Sequence, residues 1–170
     1  MKTGLVLRIP EADDLFGAVQ NLLSPGAAPT MPAHVTVLFP FRDWEALDDA
    51  AKATLADLFS GVEPFELNFA RAERFPRVAW LAPEPRSAVD RLTQLVFEAF
   101  PDCPPYGGQF EDPTPHLTMA EGEEAAMDRV KRLLVERLTT PIRVQVTEVV
   151  LFGLAGDGWR PIRAFGLGVR

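Results

Sequence analysis

Several residue types that would define a protein class are scarce in this sequence. Its 170 residues contain one cysteine, Cys103, so the chain cannot form an internal disulfide, and a reducing compartment is expected. The apolar start of the chain is interrupted by Arg8 and Pro10, too early for a secretory signal. No apolar run approaches the roughly 18 residues of a membrane-spanning helix. These absences predict a cytoplasmic protein that does not associate with membranes.

Basic residues are also scarce. There are 17 Lys and Arg against 24 Asp and Glu, which gives a formal net charge of −7 and a pI of about 4.9. A long sequence-independent nucleic-acid surface needs many basic side chains to neutralise phosphates, so this balance argues against one. A small pocket for one or two phosphates remains compatible with it. With 47% apolar and 24% charged residues, the chain is expected to form one globular domain over residues 1–170.

The sequence also lacks the signatures of several kinds of catalytic site. A zinc ion needs three or four protein ligands, and the histidines have no familiar ligand spacing with Asp112 or Glu121. Residues 106–109, Tyr-Gly-Gly-Gln, lack the Lys-Ser/Thr ending of a phosphate-binding loop. No Gly-x-Ser-x-Gly nucleophile elbow occurs either. No metal or other cofactor is therefore expected.

What the sequence does contain is one short motif used twice. His34-Val35-Thr36-Val37 and His116-Leu117-Thr118-Met119 both read His, apolar, Thr, apolar, and they hold both histidines of the chain. Alternate side chains of a β-strand point to the same face. Each motif therefore places a histidine and a threonine on one face and two apolar side chains on the other. Two such strands at a common cleft would direct two imidazoles and two hydroxyls at a ligand.

Hydrophobic periodicity and turn residues predict the elements around these motifs. Helices are expected over residues 11–23, 43–60, 87–100 and 123–138, the second of them capped by Asp43. Hairpin turns are expected near Pro76 and at Gly156-Asp157-Gly158. A proline-rich loop precedes each motif, and the order of elements repeats, which predicts two αβ halves related by a pseudo-two-fold axis. Strands are expected over residues 5–9, 34–39, 65–75, 78–82, 116–119, 142–152 and 161–169.

The two motifs resemble the two signatures of the 2H phosphoesterase superfamily. Residues 33–41 and 115–119 are most similar to its branch of 2′-5′ RNA ligase-like proteins and cyclic phosphodiesterases. The resemblance implies an α+β fold of two similar lobes, each a mostly antiparallel sheet with helices on the outside and one motif strand. It places the active site in the cleft between the lobes. It also implies metal-independent chemistry on a 2′,3′-cyclic or 2′-5′ phosphodiester of a small nucleotide or RNA end.

This chemistry requires one proton to leave the attacking water and another to reach the departing ribose oxygen. Histidine suits both tasks because its ordinary pKa, about 6.5, lies near working pH. His34 and His116 are thus the expected acid–base pair, and Thr36 and Thr118 the expected phosphate-binding hydroxyls. The reverse reaction would be ligation. The sequence leaves open which histidine is the acid, and in which direction the reaction runs.

Further contacts to the substrate are less specified by the sequence. Tyr106 could stack on a base or pack its own loop, and each candidate arginine, taken singly, is more simply explained as a solvated surface side chain. The protein is expected to act as a monomer. Two other hypotheses are a non-catalytic nucleotide-binding or regulatory module on the same scaffold, and a structural domain with chance histidines. The candidate arginines are Arg42, Arg71, Arg74 and Arg77.

Overall fold

The protein is an α+β structure with eight strands and four α-helices among the residues that the computed structural model describes, 1–27 and 29–169. The helices are α1 (Asp13–Leu23), α2 (Asp49–Ser60), α3 (Arg86–Ala99) and α4 (Glu124–Arg137). The strands are β1 (Thr3–Arg8), β2 (His34–Leu38), β3 (Phe65–Phe75), β4 (Val78–Glu84), β5 (Leu117–Glu121), β6 (Ile142–Val146), β7 (Glu148–Ala155) and β8 (Gly158–Gly166). Over this part of the chain, no helix combines the length and the apolarity that crossing a membrane would demand.

The eight strands form one antiparallel sheet in the order β6-β3-β4-β5-β2-β1-β7-β8. The two motif strands, β2 and β5, lie at its centre and are paired through Val35 and Leu117. These residues hold the same position in the two motifs. A pseudo-two-fold axis between them therefore relates β2-β1-β7-β8 to β5-β4-β3-β6. These two halves are the lobes of the molecule, and the predicted two-lobed α+β fold is confirmed.

The helices connect the two lobes. Helix α1 follows β1 in the chain but packs against β5 of the other lobe, and α3 follows β4 but packs against β2 as well. The Gln20 amide of α1 donates a hydrogen bond of 2.6 Å to the Met119 carbonyl, and the Thr93 hydroxyl of α3 donates one of 2.7 Å to the Val37 carbonyl. Met119 and Val37 are the last residues of the two motifs. Each motif strand is thus fixed by a side chain from a helix that the chain brings from the other lobe.

The core explains why the motif strands form where they do. The apolar positions of both motifs are at most 2% exposed: Val35, Val37, Leu117 and Met119. The alternating histidines and threonines are only half-buried. Period-2 alternation has therefore placed one face of each strand in the core and the other towards solvent. This burial fixes the register, because a slip by one residue would exchange the two faces.

One predicted strand is wrong. Residues 142–152 form two strands, and they lie far apart: β6 is the edge strand beside β3, whereas β7 lies between β1 and β8. The pattern of burial changes at Thr147. Before it, Val144 and Val146 alternate with exposed residues, and after it residues 149–153 are all buried. A continuous apolar pattern therefore concealed a change from an edge strand with one buried face to a strand buried on both faces.

The predicted start of the second helix is also wrong. Residues 44–46 form a short 3₁₀ turn, and α2 begins at Asp49, six residues after the predicted cap, Asp43, whose side chain makes no capping bond. Asp48 is the cap, because its carboxylate accepts a hydrogen bond of 2.8 Å from the Ala51 backbone N–H. Both predicted hairpin turns are confirmed. Strands β3 and β4 meet across Pro76, and Gly156, with φ of +59°, starts the turn between β7 and β8.

Candidate active site

The pairing of β2 with β5 brings the two motifs together. Because these strands are antiparallel and Val35 is opposite Leu117, the register places His34 beside Thr118 and Thr36 beside His116. Side chains in such positions have Cβ atoms about 4.5–5.5 Å apart. All four side chains line one open cavity of about 420 Å³. The two imidazoles and two hydroxyls predicted from the sequence therefore face a common cleft.

Each histidine is oriented by its own backbone. The Nδ1 atom of His34 lies 2.7 Å from the Pro32 carbonyl oxygen, and that of His116 lies 2.7 Å from the Thr114 carbonyl oxygen. A carbonyl oxygen can only accept, so Nδ1 must carry the hydrogen in both rings. Nε2 then remains as the nitrogen available in the cleft. It can accept a proton in the neutral ring and donate one in the charged ring, so the geometry suits either histidine as base or acid.

The surroundings of the two rings differ in charge. Burial lowers the pKa of His34, its hydrogen bond to Pro32 opposes this shift, and the charges of His116 and Arg8 lower it further. Burial also lowers the pKa of His116, but there the bond to Thr114 and the negative charge of Glu121 both oppose the shift. Neighbouring charges thus favour the neutral form of His34 and the protonated form of His116.

Tyr106 lies at the centre of the cleft. Its backbone N–H donates a 2.7 Å hydrogen bond to the Phe39 carbonyl, and its φ of +51° is in the left-handed region, which non-glycine residues seldom adopt. Its side chain lines the cavity together with both histidines. Burial raises the pKa of the phenol, and an interaction with the Thr36 side chain opposes that shift. The tyrosine is therefore a neutral hydrogen-bonding group beside the hydroxyl of the first motif.

An apolar pocket of about 480 Å³ adjoins His116. Phe75, Phe110 and Tyr106 supply its aromatic surface, and Phe110 remains 58% exposed. The ring of Phe75 packs against Trp80 at 4.9 Å and meets the edge of the His116 ring at 5.3 Å. A second pocket of about 340 Å³ adjoins His34 and is lined in part by Met31, Phe39, Phe152 and Trp159. Apolar surface thus flanks the polar cleft on both sides.

The candidate arginines lie outside the cavities that contain the histidines. Arg42 binds both oxygens of Asp102, at 2.8 and 2.9 Å, and lies over the Phe100 ring. Arg74 binds Asp128 of α4 at 2.6 Å. Arg71 pairs with Glu84, and Arg77 pairs with Glu123. The structure therefore brings together the four motif residues and Tyr106, and it places these arginines in ion pairs on the surface around them.

Two charged groups that act on the site are not identified by the sequence pattern. Arg8 is directly opposite His34 in the β1–β2 pairing, and this pairing could not be read from the chain alone. Glu121 fits no zinc-ligand spacing, and strict alternation from Thr118 would turn its side chain towards the core. The register shift between Ala79 and Trp80 leaves one extra residue, Met119, in β5. This bulge reverses the alternation, and Glu121 lines the cleft.

Metal-binding side chains do not cluster in the site. Within residues 1–27 and 29–169, no three His, Cys, Asp or Glu side chains are grouped closely enough to hold a metal ion. Glu121, the acidic residue that lines the cleft, instead acts on His116 through its charge. The chemistry that these residues support by themselves is acid–base chemistry with hydroxyl hydrogen bonds.

The chain belongs to the 2′-5′ RNA ligase superfamily, whose sequence profile matches residues 10–158. No curated protein matches the sequence. Among solved structures, it is similar to TT0787 of Thermus thermophilus, with 21% identity over 99% of this chain and 98% of that one, and a TM-score of 0.65. It is also similar to Escherichia coli LigT in its apo form, with 18% identity over 98% and 96% of the chains and a TM-score of 0.62.

LigT has also been crystallised with small molecules. Its complex with 3′-AMP shares 18% identity with this chain over 98% and 97% of the chains, with a TM-score of 0.60. Other complexes of LigT contain ATP, NADP+ or phosphate. At these identities the likeness shows a common fold.

Proposed function

We propose that the protein is a phosphoesterase that hydrolyses, or reversibly forms, a 2′,3′-cyclic or 2′-5′ phosphodiester on a small nucleotide or RNA end. The observation that carries this proposal is the convergence of both motifs on one cleft. His34 and His116 each have Nδ1 fixed by a backbone carbonyl and Nε2 free for proton transfer. Membership of the 2′-5′ RNA ligase superfamily supports the same reaction class.

In the proposed hydrolysis, one imidazole accepts a proton at Nε2 from the attacking water as the new phosphorus–oxygen bond forms. The other imidazole, protonated at the start, donates its Nε2 proton to the ribose oxygen as the old phosphorus–oxygen bond breaks. Thr36 and Thr118 donate hydroxyl hydrogen bonds to the non-bridging oxygens, where negative charge grows in the transition state. In the reverse direction a ribose hydroxyl attacks the phosphomonoester and loses its proton to one imidazole as the diester forms, while the other imidazole protonates the oxygen that departs as water.

The charges around the rings support an assignment of roles. Glu121 favours the protonated form of His116, and Arg8 favours the neutral form of His34. We therefore assign His34 as the base and His116 as the acid in the hydrolytic direction. In the direction of ligation the two roles exchange, because each step is then run backwards.

The flanking pockets support a nucleoside substrate. A pocket of 300–1,000 Å³ suits a small ligand in general, and the pocket beside His116 has about 480 Å³ and a largely aromatic wall. A nucleobase could stack there on Phe110 or Tyr106. The complex of the structurally similar LigT with 3′-AMP fits a nucleotide ligand. The net charge of −7 favours a small substrate or an RNA end over a long RNA surface.

We also propose that the protein acts as a cytoplasmic monomer without a metal ion. One chain supplies both histidines and both threonines, so a monomer is sufficient for the mechanism. The single cysteine, Cys103, is a buried free thiol, which suits the reducing cytoplasm. All proton transfers and phosphate contacts are assigned to side chains of this chain. The proposed mechanism therefore requires no metal ion.

The experiment that tests the function is hydrolysis of a panel of 2′,3′-cyclic nucleotides in EDTA, beside His34→Ala and His116→Ala proteins. We expect turnover by the wild-type protein and loss of turnover in both variants. Phosphorus NMR of the product would identify whether the 2′ or the 3′ phosphorus–oxygen bond breaks. Full activity in either variant would contradict the two-histidine mechanism. Tight nucleotide binding without turnover would favour the non-catalytic binding module instead.

A further inference from the structure

The cleft around the two motifs contains very little positive charge. The cavity that holds both histidines and both threonines is also lined by the carboxylate of Glu121. Among the described residues, no lysine or arginine lines that cavity or the two apolar pockets beside it. Asp112 adds a second carboxylate to the wall of the pocket beside His116. This is an unusual wall for a site that must hold a phosphate.

The arginines around the cleft are already bound to acidic side chains. Arg8, which acts on His34 from the adjacent strand, is within 3.4 Å of Asp13. Arg86 binds both Asp90 and Asp112. The other pairs are Arg42 with Asp102, Arg71 with Glu84, Arg74 with Asp128 and Arg77 with Glu123. The positive charge near the cleft is thus largely balanced, while Glu121, an exposed residue on the wall of the cavity, adds negative charge to it.

The charge of the phosphate decides how well it can occupy such a site. A phosphodiester carries a single negative charge, whereas a phosphomonoester carries about −1.5 to −2 at pH 7, since its second pKa is about 6. Burial lowers the pKa of both histidines, so in mildly alkaline solution they are neutral and contribute no compensating charge. The second charge of a monoester would then meet Glu121 without a cation to offset it.

We propose that the cleft selects the singly charged phosphodiester over the doubly charged phosphomonoester, and that Glu121 is the residue that sets this preference. This inference rests on the proposed function for the nature of the ligand. It gives the carboxylate a role in turnover, because hydrolysis converts a singly charged substrate into a product of higher charge. In mildly alkaline solution, where both imidazoles are neutral, Glu121 repels that product, so the product should inhibit the enzyme only weakly.

The test compares two ligands that differ by one methyl group and one charge. They are 2′-deoxyadenosine 3′-monophosphate and its methyl ester, which lack the 2′-hydroxyl and so cannot form a cyclic phosphate. Binding is measured by titration calorimetry at pH 8, where the monoester is fully charged. We expect the wild-type protein to bind the ester about tenfold or more tightly than the monoester.

The variants assign that preference to a residue. Glu121→Gln should tighten binding of the monoester about tenfold and leave the ester nearly unchanged, so that the ratio approaches one. Glu121→Asp, which keeps the charge, should retain most of the wild-type ratio. Glu136→Gln, which removes an equal charge from the exposed surface of α4, should match the wild-type protein. Thermal melts check that each variant is folded.

The outcomes separate this inference from the proposed function. Equal binding of both ligands by the wild-type protein, or an unchanged ratio in Glu121→Gln, would overturn the inference. Calorimetry requires no turnover, so an inactive protein that prefers the ester would overturn the proposed activity and leave the charge selection standing. If neither ligand binds, the nucleotide class is wrong and this inference falls with it.

Discussion

The two halves of the cleft share a backbone and differ in what surrounds it. In both, a histidine donates through Nδ1 to a carbonyl two residues earlier, at 2.7 Å, and the last motif carbonyl accepts a bond from a helix side chain. Around His34 the neighbour is the cation of Arg8. Around His116 the neighbours are the rings of Phe75 and Trp80 and the carboxylate of Glu121.

The repeated motif therefore supplies two imidazoles with the same backbone setting, whereas the charges around the two rings differ. A symmetric pair could exchange roles freely, but a hydrolysis needs one base and one acid at the same time. Opposite neighbouring charges separate the affinities of the two rings for a proton. Substitutions and changes of pH can therefore test whether the two histidines have different roles and how far their pKa values differ.

The largest expected effects come from removing the histidines. His34→Ala and His116→Ala should each lower kcat/KM for a 2′,3′-cyclic nucleotide by about 10²–10⁴-fold, because each ring transfers one proton. A diester with a 4-nitrophenyl leaving group needs no acid, so it should restore much of the activity of His116→Ala and little of that of His34→Ala. Rescue of His34→Ala instead would reverse the assigned roles. Circular dichroism should show both variants folded.

Removing the hydroxyls should have the next largest effect. Thr36→Val and Thr118→Val keep the shape of the side chain and remove the donor to the phosphate, so kcat should fall about 10²-fold in each. Thr36 also interacts with Tyr106, so its variant should alter the tyrosine environment as well. Tyrosine fluorescence or ultraviolet titration would detect that change. A decrease in kcat of less than twofold in either variant would show that its threonine does not bind the phosphate.

The dependence on pH should reveal the lowered pKa values of both histidines. In the proposed mechanism the free enzyme is active when one ring is neutral and the other charged, so kcat/KM should be bell-shaped, with its maximum below pH 6.5. On the alkaline side it should fall about tenfold per pH unit as the acid loses its proton. Because folding lowers the pKa of both histidines, the unfolded chain binds more protons than the folded protein near pH 6. The free energy of unfolding should therefore decrease as the pH falls through 6.5. A maximum above about pH 7.5 would contradict a lowered pKa in both rings.

A smaller effect is expected in the aromatic pocket on the His116 side. Phe110→Ala should raise KM about fivefold to tenfold with little change in kcat, because an exposed stacking ring contributes binding in the ground state and transition state alike. Val135→Ala on α4 is a matched control, since that side chain is similarly exposed, at 59%, and lies outside the pocket. An unchanged KM for Phe110→Ala would indicate that the nucleobase binds in the pocket beside His34 instead.

The smallest effect is expected at Arg42, outside both halves of the cleft. Arg42→Gln should leave kcat and KM within about twofold and lower stability by no more than about 1 kcal/mol, since its partner Asp102 is an exposed carboxylate. Steady-state kinetics and a thermal melt measure the two quantities. A tenfold rise in KM would place this arginine at the substrate, as the sequence alone had suggested.

Much of the site could be predicted from the sequence because the motif is local. Burial of Val35 and Leu117 on one face forces His34 and His116 onto the other, and this needs only the alternation of a strand. Glu121 could not be predicted in the same way, because a bulge at Met119 breaks the alternation. The prediction of a single strand over residues 142–152 was wrong for a related reason. An apolar pattern indicates which residues are buried but not which strand is the neighbour.

The sequence by itself therefore determined that two histidines and two threonines share one face of their strands, together with most of the helices and strands around them, because these follow from local periodicity and side-chain chemistry. Only the tertiary structure decided that β2 and β5 are neighbours. It also decided that Arg8 acts on one histidine and Glu121 on the other. Pairing between distant strands depends on how the whole core packs, and electrostatic effects depend on distances that no local pattern contains.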